Sequence, residues 1–273
     1  TALLECIDIS IIMYDINPNL CNPPNTTLKD ICNCDLIFIS VPTPMNKNGS
    51  CNTDIVESVI KELDTLAKHH KRKPSETIAI IKSTIPPGTT ERLDETYKNI
   101  KVCFSPEFLT EANFIDDFKN QNRIIIGGNR FTNTKIKSDI FVKAFPEATI
   151  VKTSSTIAEM VKYTTNCFLA TKVSFANEMF EVCERLDIDY DKVVEYATYD
   201  ERLGKSHWAV PGPDGHYGFG GSCFPKDINA LIDVAKNKLD LYPNTLIGAW
   251  NTNLEVRPEE DWKKLKGRAV VDE

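Results

Sequence analysis

Short, almost wholly apolar runs separated by turn residues set the tightest limit on what this chain can fold into. Ile7–Met13, Asp35–Val41, Thr77–Ile81, Val102–Phe104 and Arg123–Gly127 are too short for ordinary helices and rich in β-branched residues, so they read as buried strands. Between several of them lie amphipathic stretches. The clearest, Asp54–His69, sets Ile55, Val56, Val59, Ile60, Leu63 and Leu66 along one side. Strands apolar on both faces, alternating with helices, predict an α/β unit built on a parallel sheet covered on both sides. Breaks fall at Pro42–Pro44, Lys73–Ser75, Pro86–Gly88 and Gly127-Gly128.

After about Ile150 the pattern turns helical. Thr156 and Glu159 have capping-box spacing ahead of a helix running to about Leu186. A loop rich in Gly and Pro spans about Asp200 to Pro225. Helical segments follow at about Asp227–Lys238 and Pro243–Glu255, and Trp262–Glu273 reads as a helix end leading into a strand-like Arg268–Val271. The expected organisation is an α/β domain over 1–150, a helical domain over 151–256, and the start of a further region over 257–273.

A net charge of −7 argues against nucleic-acid or anionic-membrane surfaces as partners. No apolar run reaches the roughly 20 residues that span a bilayer, and Thr1–Glu5 lacks the features of a signal peptide. The nine cysteines are odd in number and irregular in spacing. Reduced thiols in a cytoplasmic protein are therefore expected. Cys32 and Cys34 lack a second Cys/His pair, so no metal site is expected.

Ligands of open α/β sheets sit beyond the carboxyl ends of the strands. Asp15, Pro42-Thr43-Pro44, Ser83-Thr84 and Pro106-Glu107 occupy such ends. Asp15 could accept hydrogen bonds from ribose hydroxyls, or could be a turn aspartate. The sequence contains no Gly-x-Gly-x-x-Gly, so a dinucleotide reading expects the first strand and phosphate-binding turn to precede Thr1. Glu107 and Glu111 would share one face of a helix; solvated carboxylates or an active-site wall both fit. Lys162 and Asn166, four apart, lie off the apolar stripe of Ile157, Met160, Val161 and Phe168. They are either solvated or aimed into a cleft where they could stabilise an oxyanion. The strongest signal is Gly218–Asp227, where three glycines and a serine surround Cys223 and Pro225 opens a helix. Glycines let backbone approach a ligand closely, and a helix N-terminus beside Lys226 favours a thiolate nucleophile.

Tyr14–Ile16, Val41–Pro44, Lys82–Thr89, Ser105–Glu111, Arg123–Gly127, Glu159–Asn166 and Gly218–Asp227, taken in order, resemble the UDP-glucose/GDP-mannose dehydrogenase family, with its UDP-glucose branch matched best. The resemblance implies a Rossmann-like NAD-binding domain followed by a helical central domain. It implies a four-electron oxidation of UDP-glucose to UDP-glucuronate with two NAD, through a thiohemiacetal and then a thioester on Cys223. By family position Lys162 and Asn166 stabilise the oxyanion and Asp227 assists proton transfer with a water held by Thr84 and Glu111. Asp15, Thr43, Thr84 and Glu107 line the cofactor site. Glu107, Lys162, Asn166, Arg202, Gly218, Gly220, Gly221 and Lys226 frame the nucleotide sugar. The family's C-terminal UDP-binding domain is expected to be absent or truncated here. A homodimer or higher homo-oligomer through the 230–253 helix is also implied, with Leu246, Ile247, Ala249 and Trp250 in the interface or in the internal core. Competing expectations are a related dehydrogenase of GDP-mannose or a UDP-N-acetylhexosamine, a thiol hydrolase using His207 or His216 as base, and a non-catalytic binding remnant.

Overall fold

The computed structural model of the chain describes residues 9–109 and 113–272. It divides into two compact units, residues 1–43 with 53–162, and residues 44–52 with 163–273.

In the first unit five strands lie side by side in chain order: β1 (Leu36–Ile39), β2 (Ile78–Ile81), β3 (Lys101–Phe104), β4 (Arg123–Gly127) and β5 (Thr149–Thr153). β1, β2 and β3 pair in parallel, with Leu36 opposite Ile78 and Ile78 opposite Lys101; β4 and β5 are also parallel. The expected all-parallel sheet is corrected at one seam. β3 and β4 meet antiparallel at their last residues, Phe104 and Gly127, and the pairing goes no further.

The strands alternate faces as their apolar runs require. Ala79 and Ile81 join Ile37, Ile39 and helix α1 (Asp54–His69) in one layer, while Ile78 and Ile80 pack with Ile124, Ile126, Phe141 and Phe145 in the other. Each fully buried isoleucine removes enough apolar area from water to stabilise the unit by about 1.5–3 kcal/mol. Helices α2 (Thr89–Thr96), α3 (Phe114–Lys119) and α4 (Arg130–Ile136) link the later strands.

Two strand expectations change. Of Ile7–Met13, residues 7 and 8 lie outside the described residues, and 9–12 join no ladder. Met13 pairs antiparallel with Asn22 across a turn containing Pro18, whose fixed φ and missing N–H suit a turn better than a strand. β5 was not expected, because Val151 and Lys152 are exposed at the sheet's margin and break the apolar pattern. The boundary expected at 150 therefore falls inside β5.

The long helix α5 (Ser155–Arg185) carries residues of both units. Its buried face differs from expectation: Ile157, Met160 and Phe168 are exposed, whereas Glu159, Lys162 and Asn166 are buried together with Ala158, Tyr163, Cys167 and Ala170, and of the expected stripe Val161 alone packs against the core. The Thr156–Glu159 capping box is likewise corrected. Ser154 Oγ accepts from the Ile157 N–H, and the Glu159 side chain points elsewhere.

The second unit packs α5 with α6 (Tyr190–Ala197), α7 (Phe224–Asp233, extended by a wider turn to Lys238) and α8 (Asn244–Val256). Its core joins Tyr163, Cys167, Ala170, Phe219, Ile228 and Ala249, with Leu246 and Trp250 packed against them. Those three α8 side chains thus contribute to the internal core. Residues 257–273 also belong here: Trp262 is fully buried beside Trp250, with ring centroids 5.3 Å apart. Met45 donates to the Ala269 carbonyl, and Val271 donates back to Met45. Arg268–Val271 is a turn with isolated bridges at Val270, not a strand.

Candidate active site

At the carboxyl ends of the first unit's strands, side chains tie one loop to the next. Ser83 Oγ donates to the Val41 carbonyl (2.6 Å) and accepts from the Val41 N–H (3.0 Å), fixing the β1 and β2 ends together. Thr43 follows, 4% exposed, and Thr84 is half-buried beside Ser83. Lys82 Nζ donates to the Pro106 carbonyl at 3.2 Å, and burial lowers its ammonium to about 8, partly opposed by the nearby Glu107. A cavity here is lined by Ser40, Lys82, Ser105 and Glu107 with the rings of Phe38 and Phe141. Ser105 Oγ is fully buried, with no hydrogen-bond partner among the described residues.

Lys162 reaches the same region. Its Nζ donates to the Glu107 carbonyl and lies 5.5 Å from the Phe108 ring centre. Expectation put Glu107 and Glu111 on one helix. Residues 105–109 are not helical, since α3 begins only at Phe114, and Glu111 lies outside the described residues. Glu107 itself is exposed. Asp15 sits in an exposed turn, where its Oδ1 accepts from the Asn17 N–H at 2.8 Å. That is the arrangement of a turn aspartate.

In the second unit Cys223 is exposed at the N-terminus of α7, with Ser222 Oγ 3.8 Å from its sulfur. One turn on, the Asp227 carboxylate is 1% exposed, with both oxygens engaged. Oδ2 accepts from Asn166 Nδ2 at 2.6 Å and Oδ1 from Lys226 Nζ at 2.5 Å. Burial alone would lower the Lys226 ammonium, but Asp227, with the thiols of Cys51 and Cys223, outweighs it and holds Lys226 above its ordinary value. The structure thus brings together Asn166, Asp227 and Lys226 beside the α7 terminus that carries Cys223. It turns Arg202 outward: that guanidinium is 89% exposed and pairs with Asp200.

Two of the glycines lie close against buried side chains of α8 and its end. A Cβ on Gly218 would lie 2.4 Å from Asn253 Oδ1, and one on Gly220 would lie 2.4 Å from Arg257 Nη2. Their missing side chains make room for this chain's own side chains. Gly218 and Gly221 also have positive φ, +65° and +69°. His216 pairs with Glu259 and His207 packs on the Phe224 ring.

Sequence reasoning missed Glu159, Asn253 and Arg257. Glu159, fully buried, accepts from the Gly88 N–H (2.6 Å), the Thr90 N–H (2.8 Å) and Thr90 Oγ1 (2.6 Å). Burial raises its carboxyl to about 7 against the pull of those donors. A signal for Asn253 and Arg257 was present: they continue the stripe Leu246, Ala249, Trp250 at helical spacing, where a polar residue must find partners.

Comparison with known proteins follows the same two-part division. Residues 22–145 match the NAD binding domain of the UDP-glucose/GDP-mannose dehydrogenase family, and residues 156–253 match that family's central domain. A Bacillus subtilis UDP-glucose 6-dehydrogenase, YwqF, is 38% identical over 217 residues, covering 77% of this chain and 46% of the relative. The Haloferax volcanii UDP-glucose 6-dehydrogenase AglM is 31% identical, covering 90% of this chain and 58% of the relative. A UDP-glucose dehydrogenase structure from Pyrobaculum islandicum superposes with a TM-score of 0.74 at 31% identity, covering 84% of this chain and 52% of that one. The chain spans about half the length of the curated relatives it matches.

Proposed function

The chain belongs to the UDP-glucose/GDP-mannose dehydrogenase family, and from that premise we propose that it takes part in oxidising the C6 alcohol of UDP-glucose to a carboxylate. The observation that carries the proposal is the buried Asn166–Asp227–Lys226 set, one turn along the helix whose first position exposes Cys223. Such a set holds a carboxylate in fixed orientation beside a reachable thiol, the pairing that nucleophilic catalysis with a proton acceptor needs.

NAD supplies a hydride acceptor when bound, and two NAD in succession would take up one hydride each. The first unit suits it: strand ends carry the hydroxyls of Thr43 and Thr84, and Ser105 Oγ has no partner among the described residues. Thr43, Thr84 and Glu107 would line the cofactor, with Asp15 at its ribose.

The steps assigned to this chain's residues follow. After the alcohol has lost a hydride and a proton, the Cys223 thiolate adds to the C6 aldehyde carbon, and the carbonyl π-pair moves to oxygen as an S–C bond forms. Lys162 and Asn166 hold that oxyanion by charge and N–H donation. Loss of a second hydride leaves a thioester. Water, its proton passing toward Asp227, then adds to the carbonyl, and the C–S bond breaks to return thiolate and carboxylic acid. Thr84 and Glu111 would hold this water. Lys226 and the backbone at Gly218, Gly220 and Gly221 would frame the sugar, and Arg202 would need to swing inward to reach it.

Purified protein given UDP-glucose and NAD should form two NADH per sugar consumed. One per sugar, or none, would overturn the proposal, and a higher kcat/KM with GDP-mannose or a UDP-N-acetylhexosamine would reassign the substrate.

The described residues include no helix long and apolar enough to cross a membrane. We propose a reducing, cytoplasmic setting, in which the exposed Cys223 thiol stays unoxidised. We also propose that a second copy of the chain packs against α5. Phe168, Phe175 and Val182 are exposed one heptad apart on α5, with Leu186 beyond them, which is the spacing of a helix seam. Light scattering should give a dimer mass, and a Phe168→Glu, Phe175→Glu variant should give a monomer.

A further inference from the structure

We propose that Asn253 and Arg257 are positioning residues that grip the backbone of the Gly218–Gly220 segment and thereby set where Cys223 stands; this rests on Cys223 being the nucleophile. The two lie one turn apart at the end of α8, and both are buried, at 0% and 2% exposed.

Asn253 treats Phe219 as a strand would treat a neighbour. Its Oδ1 accepts from the Phe219 N–H at 2.7 Å and its Nδ2 donates to the Phe219 carbonyl at 3.0 Å. Asn177 adds a third tie, accepting from the Gly218 N–H at 3.1 Å. Arg257 lies so close over Gly220 that a Cβ there would sit 2.4 Å from Nη2 and 2.5 Å from Cζ.

The guanidinium cannot drift away from that position. Its Nη2 and Nε reach Asp261 at 3.0 and 2.7 Å, and Nη2 also reaches Asp214 at 2.8 Å. A planar fork held by two carboxylates keeps one orientation, as an ammonium would not. The grip passes toward the thiol through the Phe219 ring, which meets the Phe224 ring edge-on at 6.0 Å, and Phe224 directly follows Cys223.

Gly220 gives a clean test. Unlike Gly218 and Gly221 it has no positive φ, and the three atoms nearest an added Cβ all belong to Arg257. The alternative is that Gly220 lets a ligand approach the backbone, in which case alanine harms turnover whatever stands at 257.

The experiment is a double-mutant cycle of Gly220→Ala with Arg257→Lys, read as kcat, KM and the pH profile of Cys223 alkylation by iodoacetamide. Buried Cys103, Cys167 and Cys183 serve as internal reporters of folding, since they stay unlabelled in folded protein. Gly220→Ala is expected to lower kcat on the order of 10²-fold with the original arginine, with a smaller change in KM. In the Arg257→Lys background the same change should cost less than about tenfold, because the shorter-headed, flexible lysine can yield. An equal loss in both backgrounds, or none in either, overturns the proposal.

Should Gly220→Ala label at the buried cysteines, Arg257→Lys alone carries the test. Its Cys223 alkylation profile should move while the buried thiols stay protected, and an unmoved profile overturns the proposal. The alkylation arm needs neither NAD nor sugar, so a failed dehydrogenase assignment would leave this result readable.

Discussion

Replacing Cys223 by alanine should reduce steady-state formation of the acid on the order of 10³–10⁶-fold, the range expected when a covalent nucleophile is removed. The first oxidation, alcohol to aldehyde, makes no bond to sulfur. At most one NADH per active site should therefore appear, and the reaction should then stall. Affinity for the nucleotide sugar should change little, because the side chain is exposed at the start of α7 and supports no core contact. Cys223→Ser should behave almost as poorly. A serine hydroxyl is hardly ionised near neutral pH, whereas a thiol at a helix N-terminus is readily ionised. Rapid-mixing absorbance at the NADH band, with thermal unfolding to confirm the fold, reads all of this. Turnover within about tenfold of the parent would remove Cys223 from the mechanism.

The sheet and the helix covering it were legible because burial there obeys simple periods. Asp54–His69 was bounded to the residue, since Val56, Ile60, Leu63 and Ala67 recur at helical spacing and all are buried. The apolar strand runs were readable for the same reason, and β5 was not, because its exposed Val151 and Lys152 break the pattern. On α5 the large apolar residues mislead, because the buried face is carried by Ala158, Tyr163, Cys167 and Ala170 together with polar side chains. The side chains that water leaves are Glu159, Lys162 and Asn166, and those it keeps are Ile157, Met160 and Phe168. A reader of periods assigns the apolar stripe to the core and so misplaces the helix face. What identifies the buried face is pairing across long sequence separations, Glu159 to Thr90 and Asn166 to Asp227, which no local pattern encodes. The Gly218–Asp227 segment shows the opposite limit. Its chemistry was visible in the residue types, but the occupants of the space beside Gly218 and Gly220 come from Asn253 and Arg257, more than thirty residues onward.

Glu159→Ala should destabilise the first unit by about 3–5 kcal/mol, the second large effect expected. It strands the Gly88 N–H, the Thr90 N–H and the Thr90 hydroxyl without their acceptor, and an unsatisfied buried donor costs about 1–3 kcal/mol. The pH dependence carries a definite sign. Burial lifts the folded carboxyl from an ordinary 4.5 to about 7, so the folded chain binds the proton more tightly than the unfolded one. The stability this contributes, up to about 3 kcal/mol, is complete below about pH 4.5 and is lost as pH rises through about 7. Glu159→Gln cannot titrate, and it must set an amide N–H against one of the backbone donors, so it should be less stable than the parent at pH 5. That gap should narrow by pH 8, as the parent loses stability and the variant does not. Amide hydrogen exchange at Gly88 and Thr90 reports the first unit alone and gives the gap at each pH. A gap that stays constant from pH 5 to pH 8 would mean that Glu159 remains a carboxylate throughout, held by its three donors against the cost of burial.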